Sequence, residues 1–171
     1  MIVPWARWLP SPNFSSREGA EVDAVVLHHI SLPPGRFGGG YIESFFVNRL
    51  DPEAHPYFRQ IAGLRVSAHF LIDRRGRCTQ FVDTADKAWH AGESELCGVP
   101  DVNRFSVGIE LEGDGATPFT EAQYAALNRL LGELRQAHPA IRPGRIVGHE
   151  HVAPGRKTDP GPLFEWGRLG G

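Results

Sequence analysis

The sequence predicts a single domain of α/β (α+β) class, a central mixed β-sheet flanked by helices. Three observations carry this. Short apolar, β-branched runs, Asp23–Ile30 and Phe105–Glu112, read as strands and are interspersed with helical patterns. Residues 120–137 hold one long amphipathic helix pattern. The chain has 171 residues, enough for one hydrophobic core and short of two, and no repeat, low-complexity tract or linker divides it. The expected domain spans residues 1–171.

In chain order, residues 1–21 carry Pro4, Pro10 and Pro12 with Trp5, Trp8 and Phe14, and read as an irregular segment packed on the body. Asp23–Ile30 is a buried strand ending in His28 and His29, and SLPPGRFGGG must follow as a loop. Ile42, Phe45, Phe46 and Leu50 predict a helix over Tyr41–Leu50, and DPEAHPYF is a turn. Ser67–Ile72 and Cys78–Val82 flank a hairpin turn at Gly76; Lys87–Ala91 is ambiguous. Phe105–Glu112 alternates, with Val107, Ile109 and Leu111 on one face and Ser106, Gly108, Glu110 and Glu112 on the other. Thr120 and Gln123 form a capping box, Phe119 can staple onto Tyr124, and Leu127, Leu130, Leu131 and Leu134 make the apolar stripe of a helix that Pro139 stops. Arg145–Gly148 is a last short strand. It leads into GHEHVAPGRKTDPGP, Gly148–Pro162, whose prolines and glycines predict a loop of fixed shape.

Composition excludes several function classes. The chain is 41% hydrophobic and 22% charged, with a formal net charge of −2 and no basic run, so no nucleic-acid partner is expected. Two cysteines, Cys78 and Cys97, make no disulfide framework and fit a reducing compartment. The N-terminus lacks a signal pattern, and no apolar run approaches the ~20 residues of a membrane span, so a cytoplasmic protein with no membrane partner is expected. The absence of GxSxG, HExxH, Walker and GxGxxG patterns weakens serine-hydrolase, thermolysin-type and nucleotide-binding readings.

The remaining chemistry is imidazole and carboxylate. Strand alternation lets only one of His28 and His29 face a given site; if extended, His149 and His151 share a face, as do Lys157 and Asp159. Pro160 biases Asp159 toward an extended backbone, which holds the carboxylate without a hydrogen bond. One histidine from each pair with Asp159 would make a three-ligand metal site with an open position. The plainer alternative is solvated or hydrogen-bonded loop histidines. Glu110 or Glu112 can serve as a base beside it, or simply occupy a solvated face. Lys157 can stabilise an oxyanion or merely be exposed. His69 reads as a core histidine or as support for a ligand; Trp89 and His90 read as pocket-lining or as packing. His55 and His138 read as structural or exposed.

Many segments, in order, resemble the AmpD-type N-acetylmuramoyl-L-alanine amidases of the zinc amidase and peptidoglycan-recognition-protein superfamily. They are SPNF, ISLPPG, FGG, DPEAHPYF, LRVSAHFLI, AWHAG, FSVGIELEG, FTEAQYAAL, GH and RKTDPGP. The resemblance implies that fold, and His28, His149 and Asp159 as ligands of one Zn²⁺ per chain. It makes Glu110 the general base and Lys157 the group that stabilises the oxyanion. Trp89, His90 and Arg65 would meet substrate, and His29, His69 and His151 would support the ligands. Some members of the wider superfamily carry a Tyr before His69; Ala68 stands there here, which suits reliance on Glu110. His29 stands where Asn is usual, and His151 where Asn is also seen. The implied reaction cleaves the amide between the lactyl group of (1,6-anhydro)-N-acetylmuramic acid and L-alanine. The implied protein is a cytoplasmic monomer of peptidoglycan recycling that takes 1,6-anhydromuropeptides. The alternatives are a non-catalytic muropeptide-binding module and a peptidase acting within the stem peptide. The presence of both Glu110 and Asp159 favours the amidase over a binder.

Overall fold

A computed structural model describes residues 1–170; Gly171 lies outside the described residues. In chain order the strands are β1 (Arg7–Trp8), β2 (Phe14–Ser15), β3 (Ala24–Ile30), β4 (Phe70–Ile72), β5 (Cys78–Gln80), β6 (Lys87–Ala88), β7 (Glu95–Leu96), β8 (Val99–Pro100), β9 (Ser106–Glu112) and β10 (Ile146–Gly148). The α-helices are α1 (Tyr41–Phe46), α2 (Phe58–Ile61), α3 (Glu121–Ala137) and α4 (His149–Val152). Six strands form a mixed sheet in the order β1-β5-β4-β9-β3-β10. Within it only the β4–β5 hairpin is antiparallel.

The sheet is covered on both faces. Val25, Leu27, Val107, Ile109 and Leu111 pack against the leucine stripe of α3. On the other face Ala24 and Val26 meet Val102, Phe105 and Val152, and Leu71 and Phe81 join the aromatic residues of α1 and α2. Every residue of β9 is buried, including Ser106, Glu110 and Glu112 on the face that could have been solvated. Polar groups there must be paired or carry a function that justifies their burial.

The capping box of α3 forms as expected. Thr120 Oγ1 accepts from the Gln123 amide at 3.1 Å, and Gln123 Oε1 accepts from the Thr120 amide at 3.1 Å. Gln123 Nε2 then donates to the carbonyls of Glu112 (2.9 Å) and Ile72 (3.3 Å), so the helix start is tied to the ends of β9 and β4. The β4–β5 turn needs Gly76: its φ is 76°, and a Cβ there would lie 2.5 Å from the Ala122 carbonyl oxygen.

Three expectations are corrected. The helix over Tyr41–Leu50 ends at Phe46, because Asn48 adopts a left-handed φ of 59° and exchanges side-chain hydrogen bonds with Asn13. Residues 1–21 are not wholly irregular: β1 extends the sheet parallel to β5, and β2 pairs with β6. Arg17 fastens this segment, its buried guanidinium donating to the carbonyls of Thr84, Asn103, Arg104 and Ser106. Burial lowers its pKa to about 10, against the pull of Asp86, so it stays charged. Third, the stretch from Gly148 opens with one helical turn, α4, before its glycines and prolines take over.

Replacing Thr120 by Ala should destabilise the protein by about 1 kcal/mol. Gln123→Ala should cost roughly 1–3 kcal/mol, since two strand-end carbonyls lose their donor as well. Denaturant midpoints at unchanged m-value measure both; a smaller loss for Gln123→Ala than for Thr120→Ala would contradict the tie to the sheet.

Candidate metal centre

Strand register assembles the site. β10 and β9 flank β3 in parallel, with Gly148 opposite Leu27 and His28 opposite Glu110. The residue after Gly148, His149, therefore arrives beside His28, 121 positions away in the chain. Asp159 returns from the loop, its carbonyl accepting from the Glu150 amide at 2.9 Å. That bond, absent from the sequence expectation, fixes the carboxylate against α4.

Three ligand atoms converge. His28 Nδ1 and His149 Nδ1 are 2.9 Å apart, and each lies 3.1 Å from Asp159 Oδ2. Ligands of one small tetrahedral ion at 2.0–2.1 Å would be separated by ~3.3 Å. The outer nitrogen of His149, Nε2, faces the Ala91 carbonyl at 3.0 Å. A carbonyl only accepts, so Nε2 carries the proton and Nδ1 of the neutral ring presents a lone pair. His28 is neutral, as burial pushes its pKa down to about 4 against the pull of Asp159. Burial works against ionisation of Asp159, yet its carboxyl is held well below the usual range when His149 or His28 donates a proton to it, and a cation at that point would take the place of the proton. Two imidazole lone pairs and a carboxylate aimed at one point are a donor set for a divalent cation.

Glu110 lies on the same line of the sheet. It is 8% exposed, its Oε2 is buried without a hydrogen-bond partner, and burial raises its pKa well above the usual carboxylate range, with Asp159 adding and Lys157 opposing. Glu112 differs: Oε1 accepts from the Gly38 amide and Oε2 from the Arg74 amide. Hydrogen bonding thus separates two carboxylates that alternation alone left equivalent. The site opens into a cleft of about 450 Å³, with an apolar wall of Phe45, Tyr57, Leu64 and Val66, and with Trp89 and the exposed Lys157 at its lining.

Other expected residues separate. Arg65 is exposed outside the cleft lining and caps α2, donating to the carbonyls of Ala62 and Leu64, so its reach to substrate is not supported. His90 lines the cleft, and its Nδ1 lies 3.0 Å from His28 Nε2. His69 sits behind it in the core; Nδ1 accepts from the Gly108 amide and Nε2 faces the Asp86 carbonyl, so it bonds neither ligand. Burial, aided by Arg17, pushes its pKa down to about 3. His29 points away from the ligands, toward Gly113 and Gly115, with Nδ1 buried and unpartnered. His151 does not share a face with His149: in α4, residues two apart diverge by ~200°. His149 is buried, while His151 is exposed, accepts from the Gly148 amide at 2.8 Å and packs on Trp166. It braces the turn that carries His149. Asn103 escaped sequence reasoning: its Oδ1 accepts from the amides of His90 and Ala91, holding the segment that meets both ligand imidazoles. No sequence pattern marks that role.

The family model for N-acetylmuramoyl-L-alanine amidases matches residues 18–162. The chain is 49% identical over 163 residues to the 1,6-anhydro-N-acetylmuramyl-L-alanine amidase AmpD of Haemophilus influenzae, covering 95% of this chain and 89% of that one. Among solved structures it resembles the crystal structure of a selenomethionine AmpD derivative, with 47% identity and a TM-score of 0.95 over 98% of this chain and 94% of that one. It also resembles the N-acetylmuramyl-L-alanine amidase AmiD from E. coli, solved with the substrate anhydro-N-acetylmuramic acid-L-Ala-D-gamma-Glu-L-Lys. There identity is 27% and the TM-score 0.65, over 92% of this chain and 64% of that one.

The raised pKa of Glu110 has a definite sign. Between the ordinary carboxylate value of 4.5 and the higher folded value, the folded state binds more protons than the unfolded state. Stability of the metal-free protein therefore falls as pH rises through that window. Glu110→Gln should raise the melting temperature of metal-free protein at pH 7, and the gain should vanish below pH ~4. A lower melting temperature for the variant at pH 7 would show that Glu110 is not desolvated in this way.

Proposed function

The chain belongs to the N-acetylmuramoyl-L-alanine amidase family, and from that membership we propose that it hydrolyses the amide between the lactyl group of 1,6-anhydro-N-acetylmuramic acid and L-alanine of the stem peptide. The observation that carries the reading is the convergence of His28, His149 and Asp159 beside the unpartnered, buried carboxylate of Glu110. The three would hold zinc, which N/N/O ligation with an open position suits. Zinc supplies a Lewis acid for the carbonyl and eases deprotonation of water.

The chain's own residues do the rest. Glu110, kept basic by burial, takes a proton from the attacking water and delivers it to the amine that leaves. Lys157 presents its ammonium to the oxygen of the attacked carbonyl as negative charge develops. The apolar wall and Trp89 hold the sugar and exclude water from its face. The reading includes a cytoplasmic monomer that takes soluble anhydromuropeptides. Among the described residues no helix is long and apolar enough to cross a membrane.

Incubation with an anhydromuropeptide should release free peptide. Asp159→Ala should abolish stoichiometric zinc by elemental analysis. Glu110→Gln should keep zinc and lower turnover by about 10²- to 10⁴-fold. Zinc-loaded protein that binds the muropeptide without cleaving it would make the chain a binding module, and full activity in Glu110→Gln would remove Glu110 as base.

A further inference from the structure

His28 is useful as a ligand only if its proton sits on Nε2, leaving Nδ1 bare toward His149 and Asp159. Nothing within the triad enforces this. Its outer nitrogen meets another imidazole, the Nδ1 of His90, at 3.0 Å. An imidazole can donate or accept there, so the contact alone leaves the tautomer open. The next bond along closes the question. His90 Nε2 lies 3.2 Å from Ser106 Oγ. Ser106 has one hydroxyl proton, and it goes to the Val102 carbonyl at 2.7 Å. The hydroxyl oxygen must then accept from His90 Nε2–H. His90 Nδ1 is left as an acceptor, His28 Nε2–H donates to it, and His28 Nδ1 is bare.

We propose that Ser106 and His90 set the tautomer of His28, a one-way hydrogen-bond chain in which His90 is a positioning residue for the metal ligand. The inference rests on the metal-site reading above.

Strand β9 is cut to fit this chain. Ser106, Gly108 and Glu110 share one face, opposite Ala24, Val26 and His28 of β3. A Cβ on Gly108 would fall 2.3 Å from His90 Cγ, so only glycine leaves the ring its place. The backbone is held independently, because Asn103 Oδ1 accepts from the amides of His90 and Ala91 at 3.1 and 2.8 Å. The ring is therefore placed from three sides, and its direction of donation is decided by a serine that touches no ligand.

The test combines zinc affinity, by competition with a chromophoric chelator, with ¹⁵N–¹H imidazole spectra of metal-free protein at neutral pH. His90→Leu and Ser106→Ala should each weaken zinc binding by about 10- to 100-fold. His90→Asn should recover most of the loss, because its amide oxygen stands where Nδ1 accepts. Gly108→Ala should weaken binding too, by displacing the ring. The spectra should show His90 protonated on Nε2 in the wild type, with part of that proton moving to Nδ1 in Ser106→Ala. Wild-type zinc affinity in both His90→Leu and Ser106→Ala would overturn the proposal, as would a wild-type His90 protonated on Nδ1. Wild-type protein that binds no zinc would defeat the metal-site reading instead, and the His90 tautomer would still decide whether Ser106 orients the ring.

Discussion

The parallel register of β10, β3 and β9 is the constraint on which the site depends. It sets Gly148 beside Leu27 and His28 beside Glu110, so adjacent strand ends deliver two imidazoles and a carboxylate to one edge of the sheet. Register is enforced from the opposite face. Leu27 and Ile109 pack against α3, and sliding either strand by one residue would turn His28 or Glu110 into the leucine stripe. Each buried leucine or isoleucine contributes about 1.5–3 kcal/mol, so the wrong register is heavily penalised before any metal binds. The hydrophobic core thus acts as the jig for the polar chemistry, and the ends of parallel strands again host the site in an open α/β sheet.

That chemistry is held at a cost. Glu110 is buried without a partner at Oε2, and three acceptors face one another across about 3 Å. The groups that support the ligands are satisfied. His149 gives its outer proton to Ala91, whose carbonyl also accepts from Arg156 at 2.6 Å. Arg17, behind the cleft lining, gathers carbonyls from both ends of the segment that contains His90 and so fastens the support itself. At the metal centre the unpaired atoms are those that face a cation or a reacting group, Glu110 Oε2 among them; His29 Nδ1 and Arg135 Nε are buried without partners elsewhere.

Local patterns were legible in the sequence, and long-range ones were not. The whole of α3, with its capping box, follows from Thr120, Gln123 and four leucines, because propensity, capping and burial agree there. β3 and β9 follow from their β-branched runs. Periodicity cannot say that β9 is sandwiched, since Ser106, Gly108 and Glu110 look alike on a solvated strand and a buried one. Nor can it see α4, a single turn hidden among glycines and prolines, and that turn is what parts His151 from His149. The sequence separates His28, His149 and Glu110 from their neighbours only by resemblance; the structure separates them by where their polar atoms find partners and, for Glu110, where one does not. Sequence cannot decide the role of Arg65, because a guanidinium beside the apolar wall can equally well cap the helix before it, as it does here.

The choice of an imidazole behind His28 has an electrostatic logic. A carboxylate is a common partner for the outer proton of a ligand histidine, and it raises the basicity of the ring. Here Asp159 and Glu110 already bring two carboxylates into a buried site, and a bound divalent cation would balance their charge. A carboxylate at position 90 would leave a net negative charge in low dielectric and push the pKa of Glu110 further up, out of the range of a useful base. A neutral His90, pressed to that state by burial and by the neighbouring imidazoles, accepts the same proton without adding charge. It would also leave a bound cation more electron-poor, the better to polarise a carbonyl. Using a second imidazole has one drawback, its freedom to donate as well as accept, and the hydroxyl of Ser106 removes that freedom.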